Sequence, residues 1–146
     1  MGISDTSLTT RLRHNHILAI STGLVYLWFG YLKFMPGCSP AEELAKSTIH
    51  KLTFGMIPDH VSIILLAIWE VTIGALLILN IFRKQVVYAA IVHLVLTFTP
   101  FLFFPEITFT HPPLGYSLIG QYIAKNVILI AGMITLLRQQ HPEIKA

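Results

Sequence analysis

Four stretches of this chain, about 17–35, 61–82, 86–104 and 116–137, are almost continuously apolar, and polar residues collect between them. At a rise of 1.5 Å per residue, helices of this length cross the roughly 30 Å hydrocarbon core of a bilayer. The segment between the first two runs has a different pattern. Ala41, Leu44, Ala45, Thr48 and Leu52 recur at helical spacing there. Before them stands Ser39-Pro40-Ala41-Glu42, the order of a capping box with proline at the first helical position. Gly55 and Pro58 end this short amphipathic helix, which is expected to lie on the membrane surface over the mouth of the bundle. The pattern predicts an all-α fold: an integral membrane four-helix bundle forming a single domain, 1–146, with one amphipathic helix in its first outer loop. Pro100 lies within the third run, where it removes a helical hydrogen bond; a kink and a freed Leu96 carbonyl are expected there.

Composition strengthens the membrane reading. Charged residues make up only 12% of the chain, against about 25% in soluble domains. Orientation follows from where Lys and Arg fall. Arg11, Arg13, Arg83, Lys84, Arg138 and Lys145 flank one side, and Lys33, Lys46 and Lys51 the other. Six against three predicts both termini in the cytoplasm, with 36–60 and 105–115 outside. Arg11 and Arg13 before an apolar run also suit a signal peptide, but Lys33 and Pro36 fit a cleavage site badly, so the segment reads as a retained span. The single cysteine, Cys38, excludes an intramolecular disulfide and any CxxC shuttle. The net charge is only +3, and no nucleic-acid partner is expected.

Within the apolar runs, polar side chains are few and share faces. Gly23, Tyr26, Gly30 and Lys33 align on the first helix, and Ala67, Glu70 and Gly74 on the second. Ala90, His93 and Thr97 align on the third, and Gln121, Lys125 and Gly132 on the fourth. A carboxylate in mid-membrane costs about 2.5 kcal/mol or more, so Glu70 must be neutral, wetted or paired. Glu70 and Lys125 each lie nine residues from the outer end of their runs, about 14 Å down. This predicts an ion pair between them, with Tyr26 and Thr97 at similar depth. Such a pair either fixes helix register or works on a ligand.

Lys33 is shallower and reads as snorkelling to the interface, or as part of a ligand pocket with Tyr26, His93, Thr97 and Gln121. A lone His93 also suits a hydrogen-bonded packing role. Haem would need a second intramembrane histidine, and His14 and His16 are too near the edge. His50, His60 and His111 with Cys38 lack zinc-motif spacing, so no metal is expected.

The segments Tyr26-Leu27-Trp28-Phe29-Gly30-Tyr31-Leu32-Lys33-Phe34, Trp69-Glu70-Val71-Thr72-Ile73-Gly74, Thr97-Phe98-Thr99-Pro100 and Gly120-Gln121-Tyr122-Ile123-Ala124-Lys125-Asn126 together resemble the DoxX-like superfamily of small four-helix membrane proteins. They look closest to its YkgB branch, associated with resistance to reactive chlorine. The first outer loop departs from that branch, as does Asn126, where the branch often has an acid. The resemblance implies a bacterial inner-membrane protein with a redox or oxidative-stress role, without supplying a reaction. Three functions are open at this stage. One is a redox-linked subunit with a quinone-like ligand pocket, in which Glu70 accepts protons and Lys125 clamps a carbonyl. The chain has no electron-carrying motif of its own, so a redox partner subunit at the outer face, or a bound cofactor, would supply electrons. The second is a non-catalytic scaffold or assembly subunit, and the third a small proton-coupled transporter.

Overall fold

The apolar runs fold as helices, and these run past the runs themselves where polar residues continue the helical pattern. The structure, a computed structural model, describes residues 5–39 and 41–140. Pro40 of the expected cap, Lys145, and the side chains of Arg11, Arg13 and His14 lie outside the described residues. Helix α1 (Asp5–Leu32) leads through a turn into the short α2 (Glu42–Leu52), followed by α3 (Asp59–Leu79) and α4 (Arg83–Leu96). Two single-turn helices, α5 (Pro100–Phe103) and α6 (Pro105–Thr108), then precede a hairpin of β1 (Phe109–His111) and β2 (Gly115–Tyr116). Helices α7 (Leu118–Ala124) and α8 (Asn126–Gln140) close the chain. Three stretches, Asp59–Leu79, Arg83–Phe103 and Leu118–Arg138, are long and apolar enough to cross a membrane, while the apolar part of α1, His16–Leu32, is shorter.

Each boundary has a local cause. Helix α3 stops at Asn80, which adopts a left-handed conformation with φ 57°. Its N–H reaches back to the Leu77 carbonyl, and that of Ile81 to Leu76; asparagine tolerates this cap better than a β-branched residue does. The third run breaks at 97–99, as Pro100 requires. The Leu96 carbonyl, denied a proline N–H, accepts instead from the Thr99 N–H at 3.1 Å and the Thr99 hydroxyl at 2.7 Å.

The fourth run has its own irregularity at Lys125, between α7 and α8, where the Ile128 N–H bonds the Lys125 carbonyl three residues back. The two breaks meet. Asn126 Nδ2 donates to Thr97 Oγ1 at 3.0 Å, joining α8 to the end of α4.

The expected capping box takes a different form. Ala41 stands at the N-cap without a side-chain bond. The Glu42 carboxylate accepts instead from the Gly37 N–H at 2.9 Å and from Lys46 at 2.7 Å. The acid still staples the chain entering α2, but two residues further upstream than the motif implies. Lys46 and the Gly37 N–H together hold the Glu42 carboxyl below the usual carboxylate range. At its other end α2 is pinned by Lys51, whose Nζ donates to the Phe103 carbonyl and lies 4.2 Å from the centre of the Phe104 ring. The hairpin was not visible in the apolar pattern. It is fixed by Phe101, Phe109 and Tyr116, whose rings pack mutually at 5.2–5.4 Å.

Helix α1 packs most extensively on α3, and α4 next on α8. The first contact is close because of glycine. A Cβ on Gly74 would stand 2.7 Å from the Gly23 carbonyl and 2.8 Å from the Leu27 N–H, so the two backbones touch where these glycines face one another. The core between these pairs holds Ala19, Tyr26, Ile73, Leu77, Val87, Ala90, Leu94 and Met133. Trp28 and Trp69 are exposed, on the outer surface of their helices.

Candidate functional site, a buried ion pair at the polar end of a cavity

The α1–α3 contact determines what Glu70 meets. Gly30 packs against Glu70 and Val71, which leaves Lys33, one turn further along the same face of α1, level with the carboxylate. Lys33 Nζ donates to Glu70 Oε2 at 2.6 Å, with both side chains 9% exposed. The same ammonium donates to the Phe29 carbonyl at 3.3 Å, so it is folded back along its own helix and does not extend past the helix end. This corrects two expectations. The partner of Glu70 is Lys33 and not Lys125, and Lys33 does not snorkel.

The depth count put Glu70 and Lys125 on one level but said nothing of rotation around the helices. Lys125 lies at the break between α7 and α8, and its Nζ sits 4.1 Å from the centre of the Tyr122 ring and 5.3 Å from that of Phe29. The antiparallel register of Gly23 with Gly74 carried the signal for Lys33, since it sets Gly30 opposite Glu70.

The second oxygen of Glu70 has a neighbour on α4. His93 Nε2 is 3.5 Å from Glu70 Oε1, and His93 Nδ1 is 3.2 Å from the Tyr26 hydroxyl. Tyr26 in turn donates to the Ala90 carbonyl at 3.2 Å. Lys33, Glu70, His93 and Tyr26 thus form one polar line across α1, α3 and α4. Its members are buried or nearly so, and every polar end meets another polar atom. A packing role and membership of this line are compatible for His93, since its ring also lies 5.5 Å from that of Tyr26.

A cavity of about 240 Å³ opens beside this line. Tyr26, Lys33, Glu70, His93, Thr97 and Lys125 all contribute to its walls. Gln121 does not: its Nε2 donates to the Tyr116 carbonyl at 3.4 Å, so it belongs to the hairpin side of α7. The amphipathic helix expected over the mouth of the bundle forms the roof. Leu44, Ala45, Thr48 and Ile49 of α2 line the cavity, so the amphipathic helix covers it as well as lying across the helix ends. Tyr122, Asn126 and Phe29 complete the wall near Lys125.

The arrangement offers an ammonium, a carboxylate and an imidazole at one end, with mostly hydrocarbon and the Lys125 ammonium in the remaining walls. Among the described residues no three His, Cys, Asp or Glu side chains gather as a metal site would require. His50 is 3.2 Å from Asp59, at the junction of α2 and α3, away from the cavity. Comparison with protein-family models, curated proteins and solved structures finds no match to this chain.

Proposed function

We propose that this chain is a multi-pass membrane protein of DoxX-like type in a bacterial inner membrane, with α1, α3, α4–α5 and α7–α8 crossing as a four-helix bundle and both termini cytoplasmic. Within it the cavity binds the polar head of a quinone-like ligand, and the protein serves as a redox- or oxidative-stress-linked membrane subunit. The observation that carries this reading is the Lys33–Glu70–His93 line at one end of a cavity whose other walls are mostly apolar. Ligand sites of small lipophilic molecules have this form: mostly hydrocarbon, with a few convergent polar groups that orient one end. Ionisable groups inside membrane helices are expensive and are retained where they serve a pathway or a ligand.

The chemistry follows from the geometry. A carbonyl oxygen entering beside Glu70 meets the Lys33 ammonium as a donor and Glu70 with His93 as groups able to hold a proton and release it. Reduction of a quinone consumes two electrons and two protons, one proton on each oxygen. This chain would position the head and handle a proton, and a partner subunit would supply the electrons. Amphipathic α2, lying over the cavity, limits the entry of water.

The test is a native mass spectrum of the protein extracted from its own membranes in mild detergent, with the released small molecules identified. A lipophilic ring compound held at one per chain by the unmodified protein, and lost from Glu70→Gln at equal yield of folded protein, is the expected result. A purely structural role for Glu70 would instead lower the folded yield of that variant and leave any bound compound in the remainder.

A further inference from the structure

Lys125 gives the cavity a charge that the described residues do not match. The ammonium stands at the exposed rim of the cavity, against the rings of Tyr122 and Phe29. Among the described residues it makes no ion pair. Glu70 is taken by Lys33, Glu42 and Glu43 by Lys46, Asp59 lies beside His50, and Glu106 is not among the residues lining the cavity. Aromatic faces attract an ammonium but carry no net charge to neutralise it.

Of the acids and bases lining the cavity, Lys33 and Glu70 cancel, and an imidazole adds no negative charge. One positive charge therefore remains. It lies seven residues into an apolar 21-residue stretch, about 10 Å along the helix, a depth at which the proposed crossing would hold it away from bulk water.

We infer that the cavity takes an amphiphile whose head carries one ionised oxygen, held at Lys125 Nζ, with its tail leaving across the apolar face of α2. This rests on the ligand pocket proposed above and adds the sign of the ligand's charge. Size limits the head. A volume of about 240 Å³ is below the roughly 300–1,000 Å³ of sites for drug-sized molecules. It accommodates a small aromatic head or one carboxylate, while Leu44, Ile49, Leu52 and Leu96 offer the tail a hydrocarbon path. The oxyanion chemistry is shared by an acidic hydroxyl on a quinone ring and by the carboxylate of a fatty acid.

Binding to the full chain in nanodiscs of zwitterionic phosphatidylcholine decides the matter. The probes are a 3-alkyl-2-hydroxy-1,4-naphthoquinone, ionised at neutral pH, its neutral 2-methoxy ether, laurate, and lauryl alcohol. At least one ionised probe is expected to bind about tenfold or more tighter than its neutral counterpart, as a hydrogen bond to a charged group provides. Lys125→Gln should abolish that preference, and Lys125→Arg should keep it. Preference for the hydroxynaphthoquinone identifies a ring ligand and preference for laurate a fatty acid; either supports the assignment.

Equal binding of ionised and neutral probes would overturn it while leaving the pocket in place. A preference that survives Lys125→Gln would remove Lys125 as the anchor. Failure of every probe to bind would remove the charge assignment together with the pocket. If Lys125→Gln does not fold, the ionised–neutral comparison on the unmodified protein still decides the sign.

Discussion

Lys33 Nζ lies 2.6 Å from Glu70 Oε2, and the two side chains are equally buried. They are joined across the most extensive helix contact among the described residues, the one made possible by Gly23, Gly30 and Gly74. The pair and the glycines form one device. Without close backbones the ammonium would not reach the carboxylate while also bonding the Phe29 carbonyl, and without the pair the carboxylate would stand unmatched among apolar helices.

Gly74→Leu should separate α1 from α3. Its Cβ alone would fall within 3 Å of the Gly23 carbonyl and the Leu27 backbone nitrogen, atoms that cannot move aside as a flexible side chain would. Overpacking of this kind costs about 1–3 kcal/mol, and Gly74→Ala should cost less than Gly74→Leu. The thermal midpoint of the detergent-solubilised protein measures both. A midpoint unchanged in Gly74→Leu would mean that the helices are further apart than described.

Asn126→Ala should be mild. It removes the bond to Thr97 Oγ1, but the Thr97 hydroxyl keeps its own donation to the Leu94 carbonyl. Side-chain hydrogen bonds between membrane helices contribute about 0.6 kcal/mol on average, with about 1.7 at most. Reversible unfolding in mixed micelles should therefore register a loss in that range. A loss several times larger would assign Asn126 a role beyond joining α4 and α8.

The seating of α2 should depend on pH through Glu42. Its carboxyl is held below the usual range by Lys46 first and then by the Gly37 N–H. A depressed folded-state value means that the carboxylate's contribution is complete above the unfolded value, about 4.3, and is lost as pH falls through the folded one. Limited proteolysis between Gly37 and Leu52 should thus be slow at pH 7 and 5, and should accelerate only below about pH 4. Glu42→Gln should show the faster cleavage already at pH 7. A variant indistinguishable from the unmodified protein at pH 7 would remove Glu42 as the anchor.

Much of this fold could be read from the apolar runs, because periodic hydrocarbon and a proline leave few choices. The kink at Pro100 and its freed Leu96 carbonyl came from the missing N–H alone. The hairpin at 109–116 did not, because Pro112-Pro113 and Gly115 mark only a turn, and the strands are held by ring packing among Phe101, Phe109 and Tyr116. For the site, the polar faces of the helices were legible, and which of their residues meet was not: Lys33, expected to be shallower, pairs with Glu70. Glu70 and Lys125 line one cavity, yet the glycine register turns α1, and not α7, toward the acid. The placing of α2 over the mouth was legible in its amphipathic face, but the cavity beneath it was not, because only the neighbours distinguish a membrane surface from a cavity mouth.

The central claim, that the base facing Glu70 is Lys33, is tested most directly by a double-mutant cycle in mixed micelles. It comprises Lys33→Met, Glu70→Gln and the pair together, with Lys125→Met combined with Glu70→Gln as the control cycle. Removing one member of a buried pair costs about 3–5 kcal/mol because the other charge is left unmatched. Lys33→Met alone should therefore be far more destabilising than Lys33→Met with Glu70→Gln, while the Lys125 cycle, whose residues share only the cavity, should show much the weaker coupling. Additivity in the Lys33 cycle with strong coupling in the Lys125 cycle would contradict the account.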